Sequence, residues 1–367
     1  MGNLHDFKSL SNFENYYYGE AYSEPFVSTT MNVDKVVVNY NKKNAWYRKM
    51  IATPLTFEFL TDGTFYYGAM GYPGYDEMFR PVYGEDSYYT PIQYSINGGE
   101  YVTESLTPQI PTLANGMSSA TTIQVHAGDK ISFKGNNAFY FNVYNDAWGC
   151  VGDSGGIYHR FNSTAQYKLY GNIVSLFSAD HFSDENFWSP VNLDFRQLFD
   201  GCPGIVDASN LYLPFIKMWD QCYEWFFRGC VNLVNGPHEL FANELSSYCY
   251  NGMFAGCTSL VNAPLLPSLN KAEYGAYKAM FSGCTSLENA QILPATSINN
   301  SCYDNMYEGC TNLKYVKCLA TNPSQAYLEN WLRGVSATGT FVKKTNVTWP
   351  TGDNGIPNGW TVEESDD

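Results

Sequence analysis

The chain has few basic residues and little charge of either sign. Its 367 residues include 21 Lys and Arg against 36 Asp and Glu, which gives a formal net charge of −15 at pH 7. Charged residues make up 16% of the chain, against about 25% in ordinary soluble domains. Because nucleic-acid binding needs clustered Lys and Arg to displace counterions from phosphate groups, we expect no nucleic-acid partner.

Long apolar runs are missing as well. No stretch approaches the roughly 18 apolar residues that a membrane helix needs, so we expect no membrane insertion. The N-terminal stretch, MGNLHDFKSLSNFENYYYGE, contains neither a basic start nor an apolar run, and the first cysteine is Cys150. A Sec or lipoprotein signal is therefore not predicted, and we expect a protein that stays in the cytoplasm or leaves it by another route.

Sequence patterns of catalytic and metal sites are scarce. Segment 150–156 spells CVGDSGG, the nucleophile motif of trypsin-like serine proteases, but that chemistry also needs an upstream His base and a buried Asp. His126 lies in a predicted strand, too short a distance before Ser154 for a double-barrel protease, and Ile157 replaces the proline that usually follows the motif. A glycine-rich loop is the better interpretation.

The remaining candidates for chemistry are weaker. The five histidines are scattered and form no HExxH motif, and the cysteines are too widely spaced along the repeats to match zinc sites. A pair of glycosidase carboxylates stays open, because such residues meet only in the fold. We predict that the protein is not an enzyme and uses no cofactor and no metal. The histidines are His5, His126, His159, His181 and His238.

A repeat occupies the second half of the chain. From Leu198 onward one phrase recurs as LFDGCPGI, FFRGCVNL, MFAGCTSL, MFSGCTSL and MYEGCTNL, followed by a divergent copy, WLRGVSAT. A Cys-Tyr pair precedes the repeat cysteine at a fixed distance and is replaced by Ala276-Tyr277 in one copy. The repeat glycines follow one another at nearly constant intervals, at Gly201, Gly229, Gly256, Gly283, Gly309 and Gly334.

Each repeat predicts one short helix and one short strand. In CYDNMYEGC, the apolar side chains from Cys302 to Cys310 share one face at helical spacing, and the glycine near its end suits a left-handed cap. The runs that come next, such as LVNAPLLP, suit strands that proline keeps short. The interval between the glycines indicates a leucine-rich-repeat-like solenoid, whose period is ~20–29 residues. Stacked units bury a continuous apolar column that no single unit could bury alone.

The repeat cysteines are interpreted as buried free thiols that pack as small apolar side chains. Disulfides between stacked repeats are the alternative, and the alanine at Ala276 disfavours them. The cysteines placed in the repeat core are Cys222, Cys230, Cys249, Cys257, Cys284, Cys302 and Cys310.

The phrase MFxGCTSL, followed by a proline-punctuated strand and a Cys-Tyr pair, resembles the BspA-like leucine-rich repeats. Those repeats occur in surface proteins of gut Bacteroidales and in proteins of their phages, including crAss-like phages. The resemblance covers about residues 198–340 and implies binding and adhesion, with no catalytic residues to transfer. The segment GTFVKKTNVTWPTGDNGIPNGWTV also resembles the C-terminal cap of this group. Its two strand-like runs, separated by turn residues, predict a β-hairpin that shields the last repeat.

The pattern of the first half predicts an antiparallel β-sandwich. Together with the leucine-rich-repeat-like solenoid that follows it, the predicted fold class is mixed β and α/β. PLTFEFLTDGTFYYG, IQYSINGGEYV and TTIQVHAGDKISFKG each place a turn between alternating strand-like runs. The turns lie at Asp62-Gly63, Asn97-Gly98-Gly99 and Gly128-Asp129. The phrases YSINGGEY, AGDKISFKG and YGNIVSL also resemble the module that precedes BspA-like repeats in phage-associated proteins. The predicted divisions are an N-terminal docking arm at 1–48, the sandwich at 49–190, the repeats at 191–340, and a cap with an acidic tail at 341–367.

A long aromatic loop interrupts the predicted strands of the sandwich. The segment GAMGYPGYDEMFRPVYGEDSYYTP is too rich in aromatics for a disordered loop, and loops of this length are usually functional. Exposed Tyr and Phe on a rigid frame suit protein contact or sugar stacking. The alternative is that the loop folds back over a sheet edge. The candidate contact residues are Tyr72, Tyr75, Phe79, Tyr83, Tyr88 and Tyr89.

Together with the resemblance, these features predict a non-enzymatic phage virion protein. A head fibre or capsid decoration protein is favoured over a tail fibre, assembled in the host cytoplasm and docked by its N-terminal part to capsid or other virion proteins. The repeats would then contact a host-surface protein or glycan, and fibres are usually symmetric homo-oligomers. The alternative is a bacterial cell-surface adhesin.

Overall fold

A computed structural model describes residues 46, 48–71, 74–75, 81–82, 92–103, 121–135, 157–176, 178–179, 182–183, 195–213, 220–242, 244–324 and 327–366. The chain divides into two compact units, residues 1–50 and 51–367. In the first unit, the described residues 46 and 48–50 are helical. Apart from these, the docking arm predicted at 1–48 lies outside the described residues.

The described residues of the second unit are mostly β-structure with almost no helix. Within the described ranges, no helix is both long enough and apolar enough to cross a membrane. The strands are β1 (Leu55–Phe59), β2 (Gly63–Gly71), β3 (Gly74–Tyr75), β4 (Pro81–Val82), β5 (Gln93–Ile96), β6 (Val102–Thr103), β7 (Thr121–Val125), β8 (Lys130–Lys134), β9 (Ile157–Ser163), β10 (Tyr167–Asn172), β11 (Ile205–Asp207), β12 (Leu211–Tyr212), β13 (Lys271–Ala272), β14 (Ser297–Ile298), β15 (Tyr315–Cys318), β16 (Thr340–Lys344) and β17 (Thr361–Ser365).

Two sheets pack together in the first part of this unit, and β3 and β4 form a separate two-stranded sheet. The larger has the strand order β11-β10-β1-β8-β5-β6, with β12 also paired to β10, and the smaller has the order β7-β2-β9. Their aromatic side chains share one core. The Phe57 ring of the larger sheet lies 4.9 Å from Phe65 and 5.1 Å from Phe161, both of the smaller sheet. Alternation of apolar and polar residues in β1 directs Phe57 and Phe59 to this core and Glu58 away from it.

All three predicted turns lie between strands, but only one of them joins two strands that pair with each other. At Asn97-Gly98, both residues have positive φ (52° and 73°), and β5 pairs with β6 as an antiparallel hairpin. At Asp62-Gly63, however, the chain crosses between sheets, since β1 pairs with β8 and β10 while β2 pairs with β7 and β9. The turn at Gly128-Asp129 crosses in the same way, from β7 to β8. Crossing brings the inward aromatic faces of consecutive strands together, and the turn residues alone do not encode it.

The second part of the unit is a β-solenoid of about four turns. Residues 221–229 and their equivalents form consecutive tight turns, so the predicted short helices are wrong. Alternate N–H groups bond across the turn, as from Glu224 to the Gln221 carbonyl at 3.0 Å. The others bond to the next repeat, as from Tyr223 to the Cys249 carbonyl at 2.9 Å. This inter-repeat ladder replaces the i→i−4 bonds of a helix.

Left-handed residues at every fourth position produce this path. Gln221, Trp225 and Gly229 have φ values of 62°, 56° and 71°, and the corresponding residues of the following repeats have positive φ as well. Only the last of the three positions is always glycine. The sequence pattern therefore does not distinguish a helix from these turns. Apolar residues at i, i+1, i+4 and i+5 fit both an amphipathic helix and a turn that recurs at every fourth residue.

Side chains on the inner side of the turns stack in columns. Tyr223, Tyr250 and Tyr277 lie 5.9 and 5.8 Å apart, and a second column runs from Phe199 to Tyr307. The other edge of each repeat is held by short parallel pairings, such as β13 with β14. The first repeat joins the larger sheet directly, since β11 and β12 pair in parallel with β10. The predicted divisions at 190/191 and 340/341 stay predictions.

The C-terminal strands close the solenoid, but they do not form the predicted hairpin. β15, β16 and β17 are paired in parallel, which continues the coiling of the repeats. The side-chain carbonyl of Asn354 accepts the N–H of Asn330 at 2.8 Å, in place of a carbonyl from a next repeat. The Trp349 ring stacks 5.7 Å from Trp331 and covers the end of the tyrosine column.

All seven cysteines assigned to the repeat core are free and buried. Some of them are also hydrogen-bond donors. This role was not expected when the cysteines were interpreted as small apolar side chains. The thiol of Cys257 donates to the Phe227 carbonyl of the preceding repeat at 3.1 Å, and Cys284 donates to Phe254 at 3.2 Å. Cys230 and Cys310 make the same contact. A thiol at this position therefore adds a bond between repeats while filling the core.

We expect the nine described cysteines to resist alkylation in the native protein, because all of them are buried. In denaturant without reductant, all ten cysteines should react. Mass shifts after iodoacetamide treatment under the two conditions measure this. Cysteines that stay unreactive in denaturant would reveal disulfides and contradict the structure.

Alkaline pH should destabilise the solenoid. Burial raises the pKa of Cys249, Cys310 and Cys318 from 9.0 to about 12, so folding favours their protonated forms. This stabilisation is complete below the ordinary thiol pKa and is lost as pH rises towards 12, by about 1.4 kcal/mol per pH unit for each such thiol. The thermal midpoint measured from pH 8 to pH 11 should fall steadily.

A single variant isolates one thiol from the buried tyrosines, whose pKa values burial also raises. Cys249→Ala should cost about 1 kcal/mol at pH 7, because alanine fills the equivalent place at Ala276, and it should flatten the alkaline fall. An unchanged pH dependence in this variant would show that Cys249 does not titrate with folding.

Candidate interaction surface

The outer side of the turns is the candidate functional surface. Positions in each repeat are counted back from its conserved glycine, such as Gly229. The residues one, four, eight and nine positions before that glycine point away from the core columns. Inner positions are nearly constant, with tyrosine at 223, 250, 277 and 303. Outer positions vary, with Trp225, Gly252, Ala279 and Asn305 at one equivalent place. Folding thus constrains the inner side chains and leaves the outer ones open to another role.

Charges on this surface are paired between neighbouring repeats. The Arg228 guanidinium donates to both carboxylate oxygens of Asp200, at 2.9 and 2.6 Å, and this bond raises the pKa of Arg228. At the other end Arg333 pairs with Glu308. Although partial burial opposes it, hydrogen bonds from Asn305 and Arg333 lower the pKa of Glu308. The two ion pairs bracket repeats that carry only Ala255 and Ser282 at the same position.

Three aromatic side chains stand on successive repeats of this surface, and we call them the aromatic platform: Trp225, Tyr248 and Tyr274. Arg228 lies over the Trp225 ring, 4.4 Å from its centroid. Tyr248 and Tyr274 meet edge to face at 5.2 Å. Partial burial and a hydrogen bond with Tyr274 raise the pKa of Tyr248 to about 12. Tyr274 is 42% exposed.

Glycines in the following repeats seat two of these rings. A Cβ added to Gly252 would lie 2.6 Å from Cδ1 of Trp225, and one added to Gly275 would lie 2.5 Å from Cε1 of Tyr248. Where no ring of the preceding repeat lies against this position, a residue other than glycine occupies it. Ala279, which follows Gly252 in the stack, has a φ of 51°. Trp225 and Tyr248 are therefore each accommodated by a glycine one repeat later, whereas Tyr274 is followed at the equivalent place by Asn300.

The aromatic loop proposed as a contact site lies partly within the described residues, since β2 extends to Gly71 and β3 pairs with β4. Of its six candidate contact residues, only the backbone of Tyr75 is described, in β3. The other loop candidates outside the description are Tyr72, Phe79, Tyr83, Tyr88 and Tyr89.

The segment 150–156 and His5 also lie outside the description, so the protease interpretation is neither tested nor supported. His126 sits in the exposed turn after β7, with its Nδ1 3.5 Å from an Asp129 oxygen. Among the residues that the structure describes, no three His, Cys, Asp or Glu side chains are grouped as metal ligands.

The aromatic platform was not predicted from the sequence. A detectable pattern existed: Trp225 and Tyr248 depart from the repeat, and each is followed by glycine at the equivalent place of the next copy. The pattern has meaning only once the turn geometry shows that these positions face outward.

Comparison with protein-family models, with curated proteins and with solved structures finds no match.

Gly252→Ala should destabilise the protein more than Gly201→Ala. Both glycines have positive φ, 57° and 68°, so each change costs about 1 kcal/mol of backbone strain. Around Gly201 an added Cβ meets nothing within 4 Å, whereas at Gly252 it meets Trp225, which adds about 1–2 kcal/mol or displaces the ring. Denaturant unfolding measures the costs, and near-ultraviolet circular dichroism reports the tryptophan environment. Equal costs with unchanged spectra would show that Gly252 does not seat Trp225.

Proposed function

We propose that this chain is a non-enzymatic structural protein of a phage virion, a head fibre or capsid decoration protein rather than a tail fibre. It docks on the particle by its N-terminal part and presents the repeats for adhesion to a host-surface protein or glycan. The phage would infect gut Bacteroidales. The resemblance of MFAGCTSL, MFSGCTSL and MYEGCTNL to BspA-like repeats supports this source.

The observation that carries the adhesive role is the contrast between the two sides of the turns. The inner columns of Tyr, Phe and Cys repeat from turn to turn, as folding requires. The outer side carries partly exposed, fixed aromatic rings that the columns do not need. Rings held rigidly on a frame lose little conformational entropy on binding.

The finer fold assignment belongs to the same proposal. We take the two facing sheets to be an antiparallel β-sandwich and the solenoid to be of the BspA-like leucine-rich type. The shared core of Phe57, Phe65 and Phe161 supports the first assignment. The near-constant interval between the repeat glycines supports the second. On a particle with many copies, weak contacts by each solenoid would add up to firm attachment.

The decisive experiment is mass spectrometry of purified phage particles whose genome encodes this chain. The polypeptide should be present in intact virions, and antibody labelling should place it on the head. Its absence from virions, with labelling of the surface of Bacteroidales cells, would overturn the proposal in favour of a cell-surface adhesin.

Changing the aromatic loop tests whether it serves attachment. Combined replacement of Tyr75, Phe79 and Tyr83 by Ser should leave the thermal midpoint nearly unchanged and weaken assembly or host attachment. A control replaces the exposed Val231, Val261 and Val362 by Ser and should affect neither. A large fall in the thermal midpoint of the loop variant would show that these residues belong to the core.

A further inference from the structure

We propose that the aromatic platform of Trp225, Tyr248 and Tyr274 binds an uncharged oligosaccharide. This inference rests on the proposed adhesive function and names its ligand class and its residues. Its residues belong to the repeats, whereas the candidate contact residues suggested by the sequence belong to the aromatic loop of the first half.

The rings are held in place before any ligand arrives. Trp225 lies against the backbone at Gly252 and under the Arg228 guanidinium. Arg228 is itself fixed by two hydrogen bonds to Asp200. Tyr248 lies against Gly275 and meets Tyr274 edge to face. A ligand that packs on these rings therefore orders few side chains, which is the main cost of weak surface binding.

The charge arrangement favours a neutral ligand rich in hydroxyl groups. Arg228 is neutralised by Asp200, and the Glu224 carboxylate accepts a hydrogen bond from Asn251 at 2.6 Å. Asp220 accepts the backbone N–H of Ser247 at 3.0 Å. What the platform offers is ring surface bordered by carboxylate, amide and hydroxyl groups. Sugars match this pattern, because each ring has an apolar C–H face and a rim of hydroxyl donors and acceptors.

The size of the platform separates a sugar from a protein partner. Fully buried aromatic side chains contribute ~150–250 Å² each, and only Tyr274 is as much as 42% exposed. The three rings together therefore offer on the order of 200 Å², far below the ~800 Å² that each partner contributes to a stable protein interface. A sugar ring, by contrast, needs only one or two aromatic contacts.

The distribution of the rings over the solenoid indicates a ligand longer than one sugar. The three residues belong to three consecutive repeats, and the ring centroids of Tyr248 and Tyr274 lie 5.2 Å apart. The side chains beside the rings are small, at Ala255, Ala279 and Ser282. A chain of sugars can therefore lie along the stack without steric conflict.

The full-length protein should be applied to an array of neutral and acidic oligosaccharides of two or more rings, and a hit should be titrated calorimetrically. We expect binding of neutral oligosaccharides. Tyr274→Ser and Tyr248→Ser should each weaken the titrated affinity at least tenfold with little change in thermal midpoint. Tyr66→Ser, which alters a partly exposed tyrosine of β2, is the matched control and should bind like the unaltered protein.

Several outcomes would overturn the inference. They are the absence of any bound oligosaccharide, binding restricted to acidic sugars, and binding that the platform variants share equally with Tyr66→Ser. Each leaves the proposed virion role intact, because incorporation into particles is measured separately. If oligosaccharides bind through the platform but the chain is absent from virions, the carbohydrate site stands and the virion proposal fails.

Discussion

The hydrogen-bond ladder between successive repeats is the constraint on which the solenoid depends. With a left-handed residue at every fourth position, alternate N–H groups point along the stack and reach the carbonyls of the next repeat. The inner side chains then fall in register, which produces the Tyr and Phe columns and lets each thiol of one series reach back to the preceding repeat. Such a ladder must end somewhere. Its first described bonds run from the N–H groups of Phe195 and Gln197 to the Cys222 and Glu224 carbonyls, and it ends where Asn354 accepts the Asn330 N–H.

Regularity on the inner side separates folding from recognition. Each repeat buries its Cys, Tyr and Phe against its neighbours, so a change there affects two interfaces at once. On the outer side, Trp225 and Tyr248 each lie against a glycine of the following repeat. The other outer positions vary, from the Tyr274 ring near the start of the solenoid to the Glu308–Arg333 ion pair near its end. A rigid backbone with variable outer positions suits a binding surface.

The repeats, their period, the buried free thiols and most strands of the first half could be predicted from the sequence. Two local structures could not. The apolar spacing of CYDNMYEGC fits a helix as well as a series of tight turns, and the difference depends on where alternate N–H groups find acceptors. The turns at Asp62-Gly63 and Gly128-Asp129 have hairpin residues but carry the chain between sheets, because the aromatic faces of β1 and β2 are buried against each other.

The sequence by itself determined the repeating unit and its core, because apolar periodicity and the recurring Gly-Cys pair report residues that every copy must bury. It also determined that the outer positions differ between copies. Only the tertiary structure decided which residues share a surface. Tyr248 and Tyr274 lie in separate copies of the repeat and meet edge to face because the ladder stacks consecutive repeats, and Trp225 meets Gly252 of the next copy for the same reason. The parallel closure by β16 and β17 was decided there too, since strand direction follows from coiling and not from the turn residues between the strands.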